Sequence, residues 1–496
     1  MENRKIVVNI RNVVTRLPEL RFEEPLNWII EEGQQWGVIG PNGAGKTLIA
    51  DVMQRKFALK EGEVAFGYEG NVGTLVKSIA FKDIYSLADC RNSYYQQRWH
   101  STETDEVPTI EDILKEIYGE KFNSKDFKVG IDTIKIMSKA RVIAFYLPQF
   151  YPTQENDIWW GKGFTEWTNV GRAQPLFRGH YQPKVPADLN YYDLRLPIVR
   201  SQQANLAHEA GIEGFCYWHY WFNGRRLLDT VFEEIVASGE PNFPFCLCWA
   251  NHSWYQKTWD PDKPNKLLIE QTYPGVEDYE AHFNALLPAF KDPRYMKVNG
   301  KLIFGLFAPL DIPDAKFFKE TWNKLAIKNG LNGFVFFGYL PQSIKSDKIN
   351  KVLSIFDYVV LDQYATAITS KNNFFMRVQK WIRNHILHQP YIGLYKDYVK
   401  YISSHTSVNE KILPCVLPNY DHTPRSGRRG MLLHKSTPVL WGKLLENVFI
   451  LRSHIKEEEN LVFIKAWNEW GEGNYLEPDL KYGKDYLKVL RSQLNV

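Results

Sequence analysis

The sequence predicts an α/β protein whose C-terminal part is a (β/α)8 barrel and whose N-terminal part is a smaller module built around a glycine-rich loop. The chain has 496 residues, which is more than one ordinary domain needs. A strand, a glycine-rich loop and a helix follow one another near the N-terminus, and eight short apolar runs alternate with helical segments after Arg141. These observations divide the chain into two parts of different architecture.

The glycine-rich loop lies in "QQWGVIGPNGAGKTLIADVM", where an apolar strand precedes it and a helix opens at Lys46. This stretch matches G-x-x-x-x-G-K-T in the strand-loop-helix context that the motif requires. Loop amides and the helix N-terminus can hold phosphate oxygens, while Lys46 adds charge and Thr47 offers its hydroxyl to magnesium. The predicted nucleotide-binding residues of this loop are Gly40, Asn42, Gly43, Gly45, Lys46 and Thr47.

This N-terminal part resembles the ABC-type ATPases over about its first 115 residues. "GPNGAGKT" is similar to their phosphate loop, and "SYYQQRWHSTETDEVPTIEDIL" is similar to the segment around their Q-loop, which would make Gln96 or Gln97 a metal and water contact. The sequence has no "LSGG"-like signature, and "FDYVVLDQ" carries Gln363 where a Walker B motif needs a glutamate. We therefore expect a partial module that binds ATP with magnesium but does not hydrolyse it on its own.

The two parts are joined by the segment "YGEKFNSKDFKVGIDTIKIMSKA". We expect the nucleotide-binding module over residues 1–125, a linker over residues 126–140 and the barrel over residues 141–496.

Eight apolar runs rich in valine, isoleucine and phenylalanine predict the strands of the barrel. They are RVIAFYLPQF (141–150), GIEGFCYWHYW (211–221), FPFCLCWAN (243–251), KLIFGLFAP (301–309), GFVFFGYLP (333–341), DYVVLDQYA (357–365), KILPCVLPNYD (411–421) and LVFIKAWNEW (461–470). Parallel strands are buried on both faces and need crossover helices, which favours a closed barrel. An open, doubly wound sheet is the alternative.

Helical patterns lie between these runs. The segments 196–211 and 227–239 have amphipathic spacing, and each ends on a glycine that is suited to a helix C-cap.

Composition narrows the class of protein. Hydrophobic residues make up 44% of the chain, and Lys plus Arg outnumber Asp plus Glu by only 61 to 57, so neither nucleic acid nor a membrane surface is an expected partner. The five cysteines are an odd number without a second pair to complete a zinc site, which predicts reduced structural thiols. We find no apolar signal segment or membrane-length run and expect a cytoplasmic protein.

The barrel predicts that reactive side chains cluster where the strands end, at the C-terminal face. Polar and aromatic residues do follow the predicted strands there. The candidates for substrate binding are Tyr146, Gln149, Trp218, His219, Tyr220, Trp249, Asn251, His252, Asp362, Asn419, Asp421, Trp467 and Asn468. Each alone is an ordinary strand-end residue, and their joint placement favours a functional site.

The loops of the same face point to carbohydrate. The loop after the first strand carries Trp159, Trp160 and Trp167, and the loop after the third carries Trp254 and Trp259. Indole faces pack on the C–H faces of sugar rings, while amides and carboxylates bond the hydroxyls. We include Trp167 among the substrate-binding candidates and expect about half of these tryptophans to fill core instead. His219 and His252 lack an obvious third ligand, so no metal or other cofactor is expected in the barrel.

The end of the last predicted strand carries the candidate catalytic groups. In "IKAWNEWGEGNYLEPD", Glu469 and Glu472 lie three residues apart, and Gly471 and Gly473 allow the turn to bend so that both carboxyl groups face one cleft. A tryptophan-lined pocket would raise the pKa of the more buried glutamate, so that one is ionised and one protonated near neutral pH. Glu477 has no catalytic task in this reading and is expected to be structural or to bind a hydroxyl.

Four motifs resemble one family. "FYLPQFYPTQENDIWWGKGFTEWTNV", "GFCYWHYWFNG", "PNYDHTPR" and "KAWNEWGEG" are similar to the glycoside hydrolase family 99-like proteins of bacterial surface-polysaccharide gene clusters, the WbsX-type proteins often labelled glycosyltransferases. The resemblance spans about residues 140–490. It implies a (β/α)8 barrel like that of retaining endo-α-mannosidases, with the two catalytic glutamates at Glu469 and Glu472.

The resemblance also implies how these residues act. Glu469 would deprotonate the 2-hydroxyl of the sugar, which attacks the anomeric carbon, and Glu472 would protonate the leaving oxygen and later activate water. Asn468 could bond a substrate hydroxyl. The leading hypothesis is a retaining glycoside hydrolase or transglycosylase that acts on a polysaccharide or its lipid-linked precursor. A glycosyltransferase that uses a sugar nucleotide and a glycan-binding scaffold that also binds ATP are the alternatives.

Overall fold

The computed structural model describes residues 5–16, 25–32, 46–56, 58–68, 140–256, 265–341, 346–369, 389–407 and 409–494. The chain divides into two compact units, residues 1–137 and 138–496.

The first unit contains a small antiparallel sheet and one described helix. The strands β1 (Ile6–Thr15), β2 (Leu26–Glu31) and β3 (Leu59–Phe66) pair in the order β2-β1-β3. Helix α1 (Lys46–Met53) begins at the residue where the sequence places the helix of the phosphate loop. The loop candidates Gly40, Asn42, Gly43 and Gly45, and Gln96, lie outside the described residues.

The second unit is a closed barrel of eight parallel strands, which confirms the predicted fold. The strands are β4 (Arg141–Tyr146), β5 (Gly214–Phe222), β6 (Phe245–Trp249), β7 (Lys301–Leu306), β8 (Phe334–Pro341), β9 (Tyr358–Asp362), β10 (Ile412–Val416) and β11 (Leu461–Ile464). Each strand pairs with the next along the chain, and β11 closes the barrel on β4 through partners such as Leu461 and Arg141. This closure excludes the open sheet.

Seven of the eight strands lie within the predicted apolar runs, and β5 extends one residue beyond its run, to Phe222. The segment "FDYVVLDQ", which resembles a Walker B motif, contains strand β9 of the barrel, as expected. The strands are buried almost throughout, because helices cover the outer face and aromatic side chains such as Phe145, Phe337 and Phe463 fill the interior.

Helices connect the strands and cover the barrel. They are α2 (Gln154–Trp160), α3 (Glu166–Arg172), α4 (Pro197–Glu209), α5 (Thr230–Ser238), α6 (Val276–Phe290), α7 (Ala315–Lys328), α8 (Ser346–Leu353), α9 (Tyr364–Thr369), α10 (Tyr395–His405), α11 (Thr423–Ser426), α12 (Pro438–Arg452) and α13 (Asp485–Leu494). The predicted helices 196–211 and 227–239 correspond to α4 and α5. No helix within the described ranges has the length and apolar character that a membrane span needs.

Short strand pairings lie outside the eight-stranded barrel. Tyr391–Leu394 pairs in parallel with Met431–His434, and Trp254–Gln256 pairs with Lys266–Ile269. Lys297–Val298 pairs with β7, and Arg225–Leu227 pairs with the end of β5. Cys216, Cys246, Cys248 and Cys415 are buried free thiols, in line with the structural role predicted for the cysteines.

Candidate active site

The two candidate glutamates lie on a tight turn that follows strand β11. Asn468–Glu469 pairs with Asn474–Tyr475 in a short antiparallel ladder, and a 3₁₀ turn at Trp470–Glu472 connects the two. Gly473 closes this turn with a φ of +52°, a conformation that costs other residues energy, and a Cβ there would come within 2.7 Å of Asp421. The turn thus holds both glutamates next to the C-terminal ends of the barrel strands.

Glu469 is buried against aromatic side chains. The indole N–H of Trp218, which lies on strand β5, donates to Glu469 Oε1 at 3.2 Å, and the Trp218 ring stacks on Phe145 with 4.7 Å between the ring centroids. Burial is the main cause that raises the pKa of Glu469, and the neighbouring charge of Glu472 raises it further. Glu469 therefore carries a proton near neutral pH.

Glu472 has the opposite electrostatic environment. Burial alone would raise its pKa, but Arg425 and His422 lower it below the ordinary range of a glutamate. Arg425 Nη1 lies 2.5 Å from Glu472 Oε1, and His422 Nε2 lies 3.9 Å from the same oxygen. Glu472 is therefore a carboxylate, and the pair holds one proton.

Arg425 joins Glu472 to a second buried acid, Glu166, whose Oε2 lies 3.0 Å from Arg425 Nη2. The backbone of the turn that carries the two candidate glutamates passes close to this ion pair. A Cβ on Gly471 would lie 2.0 Å from Glu166 Oε2 and 3.0 Å from Arg425 Nε, so only glycine leaves room for the pair in this arrangement. Neither Arg425 nor Glu166 is among the candidates predicted from the sequence, although the motifs "PNYDHTPR" and "GFTEWTNV" contain them.

A second ion pair also acts on the two glutamates. Lys465, directly after strand β11, lies 2.8 Å from Asp362 Oδ2, which also accepts a hydrogen bond from Tyr339 at 2.6 Å. The positive charge of Lys465 favours the ionised forms of Glu469 and Glu472. Asp362, a predicted substrate contact, is fully buried and is bound to Lys465 instead, so it positions that cation.

The third acidic residue of the turn, Glu477, is structural. It is buried and accepts hydrogen bonds from Gln203 at 2.6 Å, Tyr192 at 2.9 Å and the indole of Trp470 at 2.5 Å. Burial raises its pKa to about 7, despite these donors. Tyr146, a predicted substrate contact, donates to Gln203 at 2.7 Å and so belongs to this supporting network.

Several predicted substrate contacts bind the protein itself. Asn468 exchanges hydrogen bonds with the backbone of Leu147, and Asn251 does so with Ala308. Asn419 is bound in the same manner to Tyr475. These amides hold the loops of the C-terminal face in place.

Three other candidates lie in the core. Trp249 and Trp467 are fully buried. His219 Nε2 lies 2.8 Å from His282 Nε2, and burial lowers the pKa of both imidazoles. The arrangement explains why the strand-end pattern could not separate these residues from cleft residues, because alternate side chains on a barrel strand point to opposite faces. We therefore assign them to the packing beneath the site.

The remaining candidates differ in burial: three are half-buried and two are buried. Gln149, Trp167 and His252 are half-buried, and the Trp167 ring lies 5.7 Å from that of Trp470. Tyr220 is buried, and the charge of Glu469 is one of the causes that raise its pKa, after burial. Asp421 is buried and is bound to His180 and Gln182.

The loop tryptophans differ in exposure, and none of the four described ones is fully buried. Trp159, Trp167 and Trp254 are partly buried against the core, and Trp160 is 43% exposed. Trp259 lies outside the described residues. Within the part of the chain that the structure describes, no group of three or more His, Cys, Asp and Glu side chains is arranged to hold a metal ion.

Comparison with protein families gives two matches. The model of the family described as glycosyltransferase WbsX matches residues 142–490, and that of the ABC transporter family matches residues 24–127. The uncharacterized protein WxcX of Xanthomonas campestris pv. campestris is 33% identical over 361 residues, which are 72% of this chain and 50% of that protein. The chain thus spans about half the length of the curated relatives that it matches over its barrel.

Shorter and weaker likenesses accompany these. A probable metal transport system ATP-binding protein of Thermotoga maritima is 32% identical over 69 residues, 14% of this chain and 28% of that protein. The solved structure of a glycoside hydrolase-like protein aligns with 76% of this chain over 100% of its own length, with 14% identity and a TM-score of 0.45. The GH99 endo-α-mannosidase of Bacteroides thetaiotaomicron covers 71% of this chain and 95% of its own, with 13% identity and a TM-score of 0.41.

Proposed function

The chain belongs to the family described as glycosyltransferase WbsX, which is a family of carbohydrate-active enzymes. We therefore propose that its barrel cleaves or transfers glycosidic bonds at Glu469 and Glu472. The observation that carries this proposal is the opposed surroundings of two neighbouring carboxyl groups: Glu469 is buried against the indole of Trp218, which raises its pKa, and Glu472 is bound to Arg425, which lowers its pKa. A pair with separated pKa values supplies an acid and a base at the same pH, which is what glycosidic chemistry needs.

The proposed reaction is retaining and uses the 2-hydroxyl of the substrate sugar. One carboxylate takes the proton of this hydroxyl as its oxygen bonds to the anomeric carbon, while the other carboxyl group donates its proton to the departing glycosidic oxygen. Water, or the hydroxyl of an acceptor sugar, then opens the new C–O bond: it gives its proton to the carboxylate that acted as the acid, and the protonated base returns its proton to O2. Two displacements at one carbon leave its configuration unchanged, and the acceptor decides between hydrolysis and transglycosylation.

The contacts around Glu469 and Glu472 and the family resemblance assign the acid and the base differently. The resemblance assigns the base to Glu469 and the acid to Glu472. In the substrate-free site the proton is favoured on Glu469, because Arg425 stabilises the carboxylate of Glu472. We take the contacts of this chain as the basis for prediction, with Glu469 as the acid and Glu472 as the base.

The substrate class that we propose is an α-linked, mannoside-like segment of a surface polysaccharide or of its lipid-linked precursor. The resemblance supplies the sugar and the linkage. The half-buried indoles Trp218 and Trp254 add aromatic surface next to polar groups, a combination that suits pyranose rings.

A glycan panel tests this function. The full-length chain is incubated with α-mannosides and with bacterial surface polysaccharide, and released or transferred sugar is followed by mass spectrometry, with and without added sugar nucleotides. We expect products without a sugar nucleotide. Turnover that requires one would instead support the glycosyltransferase alternative, which the family description favours. Glycan binding without turnover under both conditions would support the scaffold alternative.

Trp218 provides a prediction of moderate size. Trp218→Phe keeps an aromatic ring on Phe145 but removes the N–H that bonds Glu469. Since one hydrogen bond to a neutral partner contributes about 0.5–1.5 kcal/mol, we expect kcat to fall by about two- to tenfold. The matched control is Trp160→Phe at an exposed indole of α2, and steady-state kinetics of both variants provides the measurement. Equal kcat values for the two variants would argue against a role for the Trp218 N–H.

The N-terminal module is a separate proposal. We propose that it binds ATP with magnesium through the loop that ends at Lys46 and Thr47. Lys46→Ala should abolish ATP binding in a fluorescent-nucleotide titration, because the lysine charge that holds the phosphates is lost, and should leave glycan turnover unchanged. A large loss of turnover in this variant would show that the two units are functionally coupled.

A further inference from the structure

We propose that a second cavity, beside the catalytic turn, binds a saccharide that carries an anionic group, either a carboxylate on the sugar or a phosphate attached to it. The cavity has a volume of about 1060 Å³ and is separate from the candidate acid and base, since neither Glu469 nor Glu472 lines it. Its walls come from the loop after β4, the Tyr391–Leu394 and Met431–His434 strand pair, and the segment that follows the catalytic turn.

A buried lysine in the cavity wall provides the first argument. Lys184 is 7% exposed, and its ammonium group donates to the carbonyl oxygen of Gly473 at 2.9 Å. Over the described residues this is its one hydrogen bond, although an ammonium has three N–H donors. Burial lowers the pKa of Lys184, whereas Asp421 and Asp479 oppose that shift. An anionic ligand would satisfy the remaining donors and favour the charged form.

The charges around the cavity provide the second argument. Arg178, Lys435 and Lys481 line it and are exposed. Two of the aspartates in its wall are already bound to protein donors: Asp421 accepts from His180 and Gln182, and Asp479 accepts from Tyr475 and from backbone amides. The cations at the rim are therefore more available to a ligand than these acidic groups.

Aromatic side chains provide the third argument, and they favour a sugar over a simple inorganic anion. Six tyrosines line the cavity: Tyr181, Tyr391, Tyr420, Tyr475, Tyr482 and Tyr486. Most of their hydroxyls are hydrogen-bonded within the protein, for example that of Tyr475 to Asp479 and that of Tyr482 to the carbonyl oxygen of Ser436. What these side chains offer a ligand is therefore mainly the flat face of the phenol ring, which packs on sugar C–H groups. A cavity of this size accommodates a ligand of two or more rings.

The position of the cavity links it to the catalytic turn. The carbonyl oxygen of Gly473 accepts the hydrogen bond from Lys184, and the backbone N–H of Asp421 donates to the carbonyl oxygen of Glu472 at 2.7 Å. The same turn thus carries Glu472 towards the proposed active site and, through the carbonyl oxygen of Gly473, holds the ammonium group of Lys184, which lines the cavity. The inference does not depend on turnover, because binding is measured directly.

Calorimetric titration of the full-length chain tests the proposal with two matched pairs of probes. Cellobiouronic acid is compared with cellobiose, and mannose 1-phosphate is compared with mannose. The rim variant is Arg178→Ala/Lys481→Ala, which removes two exposed charges. The control variant is Lys297→Ala/Lys301→Ala, which removes two charges from the strand pair at the start of β7, at the opposite end of the barrel.

We expect at least one anionic probe to bind about tenfold or more tightly than its neutral partner, and the rim variant, but not the control, to lose that difference. Binding of cellobiouronic acid would indicate that the anionic group of the ligand is a carboxylate, and binding of mannose 1-phosphate would indicate a phosphate. Lys184→Met should weaken binding in the same direction, and if that buried substitution impairs folding, the rim variant decides alone. Equal binding of charged and neutral probes, or a rim variant that binds like the wild type, would overturn the proposal. Because the rim variant tests this cavity specifically, binding at the phosphate loop or at the catalytic pair would not mimic the expected result.

Discussion

Glu469→Gln and Glu472→Gln should each lower kcat on the natural glycan by about two to four orders of magnitude, the range that general acid or base catalysis contributes. Glutamine keeps the size of the side chain but neither gives nor takes the proton. Both side chains are largely enclosed, and the amide can still pair with Trp218 or Arg425, so we expect both variants to fold.

The control is Glu280→Gln, an exposed glutamate on α6, which should retain full activity. Circular dichroism and melting temperature verify the fold of each variant. If either Glu469→Gln or Glu472→Gln retained near-wild-type kcat, its assignment as an acid or base would be wrong.

A substrate with a good leaving group distinguishes the acid from the base. A dinitrophenyl glycoside needs no acid to expel its leaving group, so the variant that lacks the acid keeps its first step and the variant that lacks the base does not. The contacts of the free site predict that Glu469→Gln is rescued on this substrate. Rescue of Glu472→Gln instead would show that substrate binding moves the proton to the residue that the family resemblance assigns as the acid.

Arg425→Gln should produce the second large effect. It leaves the buried carboxylates of Glu166 and Glu472 without their shared cation, and removing one partner of a buried ion pair costs about 3 kcal/mol or more of folding free energy. Because Arg425 lowers the pKa of Glu472, its loss should raise that pKa and move the acidic limb of the pH–rate profile to higher pH.

The pH dependence of stability follows from the same shift. A glutamate whose folded pKa is depressed stabilises the fold above its unfolded pKa and loses that contribution as pH falls through the folded pKa. The stability difference between wild type and Arg425→Gln should therefore be largest near neutral pH and should narrow in acid. Urea unfolding at several pH values measures this, with Arg428→Gln, an exposed arginine three residues on, as the control. A difference that stays constant down to low pH would exclude Glu472 as the group that Arg425 stabilises.

The strands of the barrel were predictable because parallel strands are buried on both faces, which leaves a nearly unbroken apolar run in the sequence. The position of the turn was predictable for a local reason, since Glu469 and Glu472 lie three residues apart shortly after the last strand. Their catalytic role stays a prediction. Gly473, with its positive φ, confirms that this turn needs glycine.

The ion pairs were not predictable in the same way. Glu166 and Arg425 are 259 residues apart, and only the closure of the barrel brings them together over Gly471. Nor does a strand-end position reveal which way a side chain points: Trp218 reaches Glu469, whereas Trp249 at the end of the next strand packs in the core. Sequence patterns locate the face of a site, and packing decides which residues take part in it.

The configuration of the first product provides the most direct test of the proposed chemistry. Proton NMR during cleavage of an α-linked manno-oligosaccharide by the full-length chain resolves the two anomers before they interconvert. Two displacements at Glu469 and Glu472 predict that the α-anomer forms first and that the Glu472→Gln variant forms it at least about a hundredfold more slowly. First appearance of the β-anomer, or formation of the α-anomer by the variant at the wild-type rate, would contradict the account.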